Sequence, residues 1–250
     1  MVWILDLDGV VWLAGKAIPG SPEAIDRLRD AGERVVFVTN NSGPTLEEYV
    51  GMLGHVGVEV KSDDLVTSAQ AAASLLSPGS PVAMVGGEGL NEALRGRGLR
   101  LVDASASPEA VVVGRSLALD YNELARAASA IRDGARFIAT NTDATFPTGN
   151  GLVPGAGALV AFLEVASGRK AEVAGKPDPP AAALVRERFG APSLVVGDRP
   201  DTDGAFAVAM GAPFGLVLSG VTKQRDLPVT PEPSTVGANL AELVERMHPR

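Results

Sequence analysis

Two aspartates one residue apart, Asp6 and Asp8, follow the apolar run Trp3-Ile4-Leu5 and precede Gly9. On an extended strand residues i and i+2 point the same way, so this spacing predicts both carboxylates side by side at the strand's open end, with Leu7 turned elsewhere. Two unit charges about 4 Å apart repel by roughly 4 kcal/mol at an effective dielectric near 20, so a chain that keeps both ionised calls for a cation. Hard oxygen donors at a sparse site favour Mg2+. Three more polar clusters follow: Thr39 with Asn40 and Asn41, then Lys176, then Asp198 with Asp203. Asp6, Asp8 and Asp198 can hold a divalent ion whose charge offsets a bound phosphate, while Lys176 adds a cation and Thr39 and Asn40 offer neutral donors to phosphate oxygens. A carboxylate can act as nucleophile and form an aspartyl-phosphate, and a neighbouring carboxyl can pass protons to a leaving group and from a water. The chain has no cysteine and two histidines, His55 and His248, which removes thiolate chemistry and nearly excludes a Ser-His arrangement. Both histidines read as surface residues.

These clusters need a scaffold that brings distant stretches to one place. Strand-like and helix-like segments alternate through the chain, the pattern of a mainly parallel sheet flanked by helices. After the opening strand, Ser21-Pro22 starts a helix with Ala24, Ile25, Leu28 and Ala31 on one face, and residues 34 to 38 form the next strand. Thr45-Leu46-Glu47-Glu48 reads as a capping box whose helix buries Leu46, Tyr49, Val50 and Leu53. Proline and glycine punctuate residues 77 to 81, which predicts a domain boundary there. A second α/β lobe then runs over strands at 82–85, 99–102, 110–113 and 137–140 and helices at 121–133 and 158–167. From Gly175-Lys176-Pro177 the first pattern returns, with a helix opened by Asp178, a strand at 194–197, a last strand at 215–218 and a closing helix at 239–247. The expected division is 1–81 and 173–250 for the core and 82–172 for the insert. Each polar cluster then falls at the carboxyl end of a strand or at the helix start beyond it, where open α/β sheets bind ligands. Gly86-Gly87-Glu88-Gly89 and Gly155-Ala156-Gly157 do not complete a dinucleotide fingerprint and read as turn and helix-start glycines.

Composition narrows the partners. The 250 residues are 46% hydrophobic and carry a net charge of -8, so a sizeable core is within reach and the basic surface of a nucleic-acid binder is missing. No apolar run is long enough to span a bilayer, and the chain opens on a strand rather than a leader, which points to a cytoplasmic protein with a small soluble substrate and no membrane partner.

At this point the residues resemble the haloacid dehalogenase superfamily. Asp6-Leu7-Asp8-Gly9 is similar to its first motif, Val38-Thr39-Asn40-Asn41 to its second, Lys176 within Gly175-Lys176-Pro177 to its third, and Gly197-Asp198-Arg199-Pro200-Asp201-Thr202-Asp203 to its fourth. The order and spacing, with Ala139-Thr140-Asn141, Asp143 and Gly151-Leu152-Val153-Pro154-Gly155, resemble the branch of para-nitrophenyl, phosphoglycolate and glycerol-phosphate phosphatases and a ribonucleotide monophosphatase. The resemblance implies a doubly wound, mainly parallel core with an inserted α/β cap, and a Mg2+-dependent phosphatase acting on a small phosphorylated metabolite. It implies Asp6 as nucleophile and Asp8 as general acid/base. The metal would be held by the Asp6 side chain, the Asp8 backbone carbonyl and Asp198, with Asp203 behind it. Thr39, Asn40 and Lys176 would bind the phosphoryl group, and Asn41 and Asp143 are further substrate-binding candidates. Relatives of this branch often dimerise through the cap, so a homodimer is the implied assembly. Two departures stand out: Gly204-Ala205-Phe206 where a branched apolar residue is expected, and Thr142 where proline is common. A phosphomutase of the same superfamily and a non-catalytic phospho-ligand binder are the alternatives; a dehalogenase would not want Asp8.

Overall fold

A computed structural model describes residues 1–148 and 151–249. The chain opens with β1 (Val2–Leu5), a small hairpin of β2 (Trp12–Leu13) and β3 (Lys16–Ala17), α1 (Ser21–Asp30), β4 (Arg34–Thr39), α2 (Leu46–His55), β5 (Leu65–Thr67) and α3 (Ser68–Ser74). It continues through β6 (Pro81–Val85), α4 (Glu88–Gly96), β7 (Arg100–Leu101), β8 (Ala110–Val113), α5 (Tyr121–Arg132), β9 (Arg136–Ala139), β10 (Thr145–Thr148), β11 (Gly151–Pro154), α6 (Ala156–Ser167) and β12 (Glu172–Val173). The last part holds α7 (Pro179–Phe189), β13 (Leu194–Gly197), α8 (Ala205–Met210), β14 (Phe214–Val217), β15 (Thr235–Gly237) and α9 (Leu240–Met247).

The chain divides into two compact units. Unit one is 1–39, 47–66 and 176–250; unit two is 40–46 and 67–175. The edges differ from those read in the sequence, because residues 67–81 and the short stretch 40–46 belong with the inserted unit, and the Pro/Gly-rich stretch marks only the entry to β6. None of the helices among the described residues is long and apolar enough to cross a membrane.

Unit one is built on a six-stranded sheet in the order β15-β14-β13-β1-β4-β5. At its centre β1 pairs in parallel with both neighbours, Leu5 lying opposite Val196 on one side and Phe37 on the other. Trp3, Ile4 and Leu5 are all buried, as are their partners on β13 and β4, the continuous apolar pattern of strands covered on both faces. Local signals fix the surrounding helices. Proline in the first turn starts α1 and α7, and the Asn239 side chain caps α9 by accepting from the Glu242 N–H at 3.0 Å.

Unit two has a five-stranded parallel sheet in the order β12-β9-β8-β6-β7 and a separate hairpin, β10 with β11. Its core joins Val85, Val111, Val113 and Phe137 from the sheet to Leu124 and Ile131 of α5 and Leu159 and Leu163 of α6.

Several local expectations need correction. β5 and α3 add to the elements expected from the sequence; α3 opens on a capping box, with Gln70 N donating to Thr67 Oγ1 at 3.3 Å and Thr67 N to Gln70 Oε1 at 3.0 Å. The buried face of α3 is mostly alanine, which gives little hydrophobic contrast. α4 and the β10–β11 hairpin likewise add to the expected elements, and the last strand is β15, beyond the expected 215–218. In α2 the buried stripe is Tyr49 and Leu53, one turn apart; Leu46 and Val50 sit at its edge, half-buried. His248 is half-buried rather than free on the surface, its ring 5.7 Å from that of Trp3.

Candidate active site

In unit one the strand order reverses direction between β13 and β1, the place where open α/β sheets bind ligands. Asp6 directly follows β1, its N–H donating to Val196 O at 2.9 Å; Thr39 ends β4; Asp198 follows β13. Lys176 is buried among them, and its Nζ donates to Asp6 Oδ1 and to Asp203 Oδ1, each at 2.7 Å. Asp203 comes from a π-type helical turn, Pro200–Gly204, and its second oxygen accepts from Arg199 N at 3.1 Å. Carboxylate oxygens of Asp6, Asp198 and Asp203 lie within 4.8 Å of one another.

Three glycines let this cluster close. A Cβ on Gly220 would stand 1.9 Å from Asp198 Oδ2, and one on Gly9, where φ is +86°, would stand 2.6 Å from it, so the Asp198 carboxylate is seated between two bare stretches of backbone. Val221 N also donates to that oxygen. Gly197 gives Asp203 the same clearance, since a Cβ there would fall 2.2 Å from its carboxyl. Gly9 and Gly197 are legible in the sequence as parts of the acidic motifs, but the space they clear for Asp198 and Asp203 is not, and Gly220 carries only the signal of a glycine just past a strand.

The electrostatics follow from burial. Loss of solvent pushes the Asp6 carboxyl well above its ordinary value; Lys176 opposes this, while Asp203, Asp198 and Asp8 add to it. Burial, then Asp203, pushes Asp198 up to about 7. Burial also works against the Lys176 ammonium, yet Asp203 and Asp6 outweigh it and hold that proton more tightly than usual. With all ionised, the three carboxylates of the cluster and one ammonium leave two uncompensated negative charges. A divalent cation with oxygen preference removes that excess, so the donor set fits Mg2+ in both hardness and charge.

Asp8 is placed differently from its neighbour. Strand pairing ends at Leu5 and the backbone turns at Gly9, so the two-residue alternation no longer governs position 8. Its carboxylate accepts from Trp12 Nε1 at 3.1 Å and is not one of the three clustered acids. It remains near enough to Asp6 to act on its charge.

The remaining candidates are organised within unit two. Asn40 Nδ2 donates to Asp143 Oδ2 at 3.4 Å, and the Asn40 carbonyl accepts from Asn141 Nδ2 at 2.6 Å and Ser68 Oγ at 2.5 Å. Asn41 Oδ1 accepts from Gly43 N at 3.1 Å, which fixes the turn leaving Asn40.

Comparison with known proteins now bears on this geometry. Residues 3–100 match the family of haloacid dehalogenase-like hydrolases, and residues 173–243 match a second profile of the same hydrolases. The D-glycerol 3-phosphate phosphatase of Mycobacterium tuberculosis is 41% identical over 96% of this chain and 70% of its own length. The chain belongs to the haloacid dehalogenase-like hydrolases. Within that family, an acid sugar phosphatase of Staphylococcus aureus is 35% identical over 90% of this chain and 89% of its own. The p-nitrophenyl phosphatase of Archaeoglobus fulgidus superposes with a TM-score of 0.91 at 33% identity, covering 98% of both chains. The M. tuberculosis glycerol phosphate phosphatase, solved with magnesium, superposes with a TM-score of 0.90 at 39% identity over 97% of this chain and 75% of that one. One departure of this haloacid dehalogenase-like hydrolase now has a physical reason. A Cβ at Gly204 would meet Pro231 at 2.9 Å and Phe214 at 3.0 Å, and the fully buried Phe206 supplies the apolar bulk instead.

Proposed function

We propose that this haloacid dehalogenase-family phosphatase hydrolyses a small soluble phosphate monoester through an aspartyl-phosphate on Asp6, with Mg2+ as its cofactor. The observation that carries the reading is the buried cluster at the strand-order reversal, in which Lys176 ties Asp6 to Asp203 beside Asp198. The Asp6 and Asp198 side chains and the Asp8 backbone carbonyl would hold the ion, with Asp203 supporting from behind. Bound there, Mg2+ supplies the positive charge that keeps both carboxylates ionised and offsets the phosphoryl oxygens.

The chain's own residues then divide the reaction in two. An Asp6 oxygen attacks phosphorus as the ester oxygen leaves with a proton from Asp8. A water next attacks phosphorus and gives its proton to Asp8, the bond to Asp6 breaks, and inorganic phosphate departs with Asp6 restored. The Trp12 indole N–H orients the Asp8 carboxyl for both transfers. Lys176 keeps one Asp6 oxygen in place and adds positive charge beside the phosphoryl group. Thr39 and Asn40 donate to phosphoryl oxygens. Asp143 holds the Asn40 carboxamide, and Asn41 sets the turn behind it. Unit two serves as the cap, admitting substrate and shielding the intermediate from bulk water. The relatives' names point to polyol and sugar phosphates as the first substrates to try. The test is hydrolysis of para-nitrophenyl phosphate with Mg2+ and with EDTA, followed by a panel of phosphorylated metabolites with product analysis. Release of inorganic phosphate that depends on Mg2+ is expected; transfer of the phosphoryl group within a sugar phosphate would show a mutase instead.

A further inference from the structure

In unit one β14 pairs in parallel with β13, Gly197 lying opposite Leu216, so the chain leaving the carboxyl end of β14 passes the end of β13, where Asp198 stands. The segment that does so, Ser219-Gly220-Val221-Thr222, lies outside all the acidic and lysine motifs. It fastens Asp198 at two places: Val221 N donates to Asp198 Oδ2, and Thr222 N donates to the Asp198 carbonyl at 3.3 Å. The same segment also reaches the first acidic motif. Ser219 Oγ donates to the Gly9 carbonyl at 2.6 Å, although the two residues are 210 positions apart in the chain. A close backbone approach allows this, since a Cβ on Gly9 would stand 2.8 Å from Gly220 Cα. Gly220 and Thr222 are buried, and Ser219 is half-buried.

What Ser219 holds is the turn behind a metal-ligand carbonyl. The Asp8 carbonyl and the Gly9 N–H share one trans peptide and so point in opposite directions. Gly9 N donates to Trp12 O at 2.7 Å, which fixes that peptide plane from the N–H side. Gly9 has φ +86° and no side chain to restrain it, so one hydrogen bond settles only one of its two flanking planes; the Ser219 hydroxyl settles the other. Held on both sides, Gly9 keeps the Asp8 carbonyl in a single direction. We infer that Ser219 is a positioning residue for Mg2+: it locks the Gly9 turn that aims the Asp8 carbonyl, while Val221 and Thr222 of the same segment seat Asp198. Four consecutive residues thereby set two ligands of the ion relative to each other. The Ser219 proton is engaged by Gly9, so the side chain acts on the ion through the Asp8 carbonyl. The inference rests on the phosphatase reading above, which puts that carbonyl on the metal, and extends it to a residue outside the acidic motifs.

The experiment titrates Mg2+ calorimetrically, without substrate, into wild type, Ser219→Ala and Ser219→Thr, and records the melting temperature of each in EDTA. Ser219→Ala is expected to bind Mg2+ about 10- to 100-fold more weakly, the usual cost of losing a group that orients a metal ligand, because Mg2+ tolerates little departure from octahedral geometry. Ser219→Thr keeps the hydroxyl and should bind within about threefold of wild type. With para-nitrophenyl phosphate, the Mg2+ concentration giving half the maximal rate should rise in Ser219→Ala by the same factor as the calorimetric constant, and the rate at saturating Mg2+ should fall by less than about threefold. A merely structural serine would instead lower the melting temperature in EDTA and leave Mg2+ affinity unchanged. That result, or equal weakening in Ser219→Ala and Ser219→Thr, overturns the inference. Ser219→Cys, of similar volume but a weak donor, should weaken Mg2+ binding as alanine does, and it decides the matter where the alanine variant does not fold; wild-type affinity in the cysteine variant would refute the assignment. Wild type that binds Mg2+ but releases phosphate from no ester refutes the phosphatase reading alone, since calorimetry still ranks the variants. Wild type that binds no Mg2+ overturns both.

Discussion

The two units hold their charged groups in opposite ways. In unit one the charges of the cluster are buried around a single internal cation: Lys176 bridges Asp6 and Asp203, Asp198 takes a backbone N–H, glycines clear the space between them, and the remaining negative charge is left for an ion. In unit two the polar groups are mostly uncharged: Ser42, Thr140 and Asn141 are buried and hydrogen-bonded to one another or to the Asn40 carbonyl, Asn40 reaches Asp143 only at 3.4 Å, and Arg115 has an aromatic face but, among the described residues, no paired acid. The difference teaches where each kind of information resides. Chemistry common to a reaction class needs fixed, desolvated charges, whereas recognition of one substrate needs groups left open for that substrate to complete.

Substitutions can break this contrast at graded strength. Asp6→Asn should cost about 10^4-fold or more in turnover, the scale seen when a nucleophile is removed, while the circular dichroism spectrum and melting temperature stay near those of wild type. Lys176→Met leaves Asp6 and Asp203 buried without their shared cation. A loss of roughly 3–5 kcal/mol in stability is expected in EDTA, smaller with Mg2+, together with a loss of activity. Denaturant unfolding with and without the ion measures both.

The pH dependence has a definite sign. Asp198 has its ordinary value of 3.8 when unfolded and about 7 when folded without metal, so the native state binds the proton more tightly. Stability from this group is complete below its unfolded value and is lost as pH rises through about 7, by roughly 4 kcal/mol at most. Mg2+ binding needs the deprotonated form, so the rise in melting temperature on adding Mg2+ should be larger at pH 8 than at pH 5. Equal gains at the two values would show that the carboxylates of unit one do not hold the ion. More modestly, Gly220→Ala should displace the Asp198 carboxylate and weaken Mg2+ affinity about 10- to 100-fold by titration calorimetry. Asp143→Ala in unit two should have the least effect, below about tenfold in kcat/KM, because its hydrogen bond from Asn40 is long and only part-buried.

The sequence carried the site more openly than the scaffold around it. Asp6, Thr39, Lys176 and Asp198 each sit at the end of an apolar run or at a Pro-marked helix start, and the fold places three of them at the carboxyl ends of the adjacent strands β1, β4 and β13. The α/β alternation likewise exposed β1, α1, β4, α5, α7, β13 and α9. The less legible elements lack contrast: α3 packs with alanines, β5 is three residues long, and the β10–β11 hairpin includes the exposed Leu152, so neither period stands out. The glycines beside Asp198 and the pairing of Arg115 with Phe146 depend on contacts between residues far apart in the chain, which no local pattern encodes.

The central claim is that phosphate passes through a covalent bond to Asp6, and the Asp8→Asn variant tests it most directly. Para-nitrophenolate leaves readily without an acid, whereas attack by water on the intermediate needs the base at position 8, so the variant should accumulate its adduct. Mixed rapidly with Mg2+ and para-nitrophenyl phosphate, it should release a burst of nitrophenolate close to one equivalent per enzyme, and an acid quench followed by peptide mapping should place the phosphate on Asp6. A linear time course with an unmodified Asp6 would contradict the account.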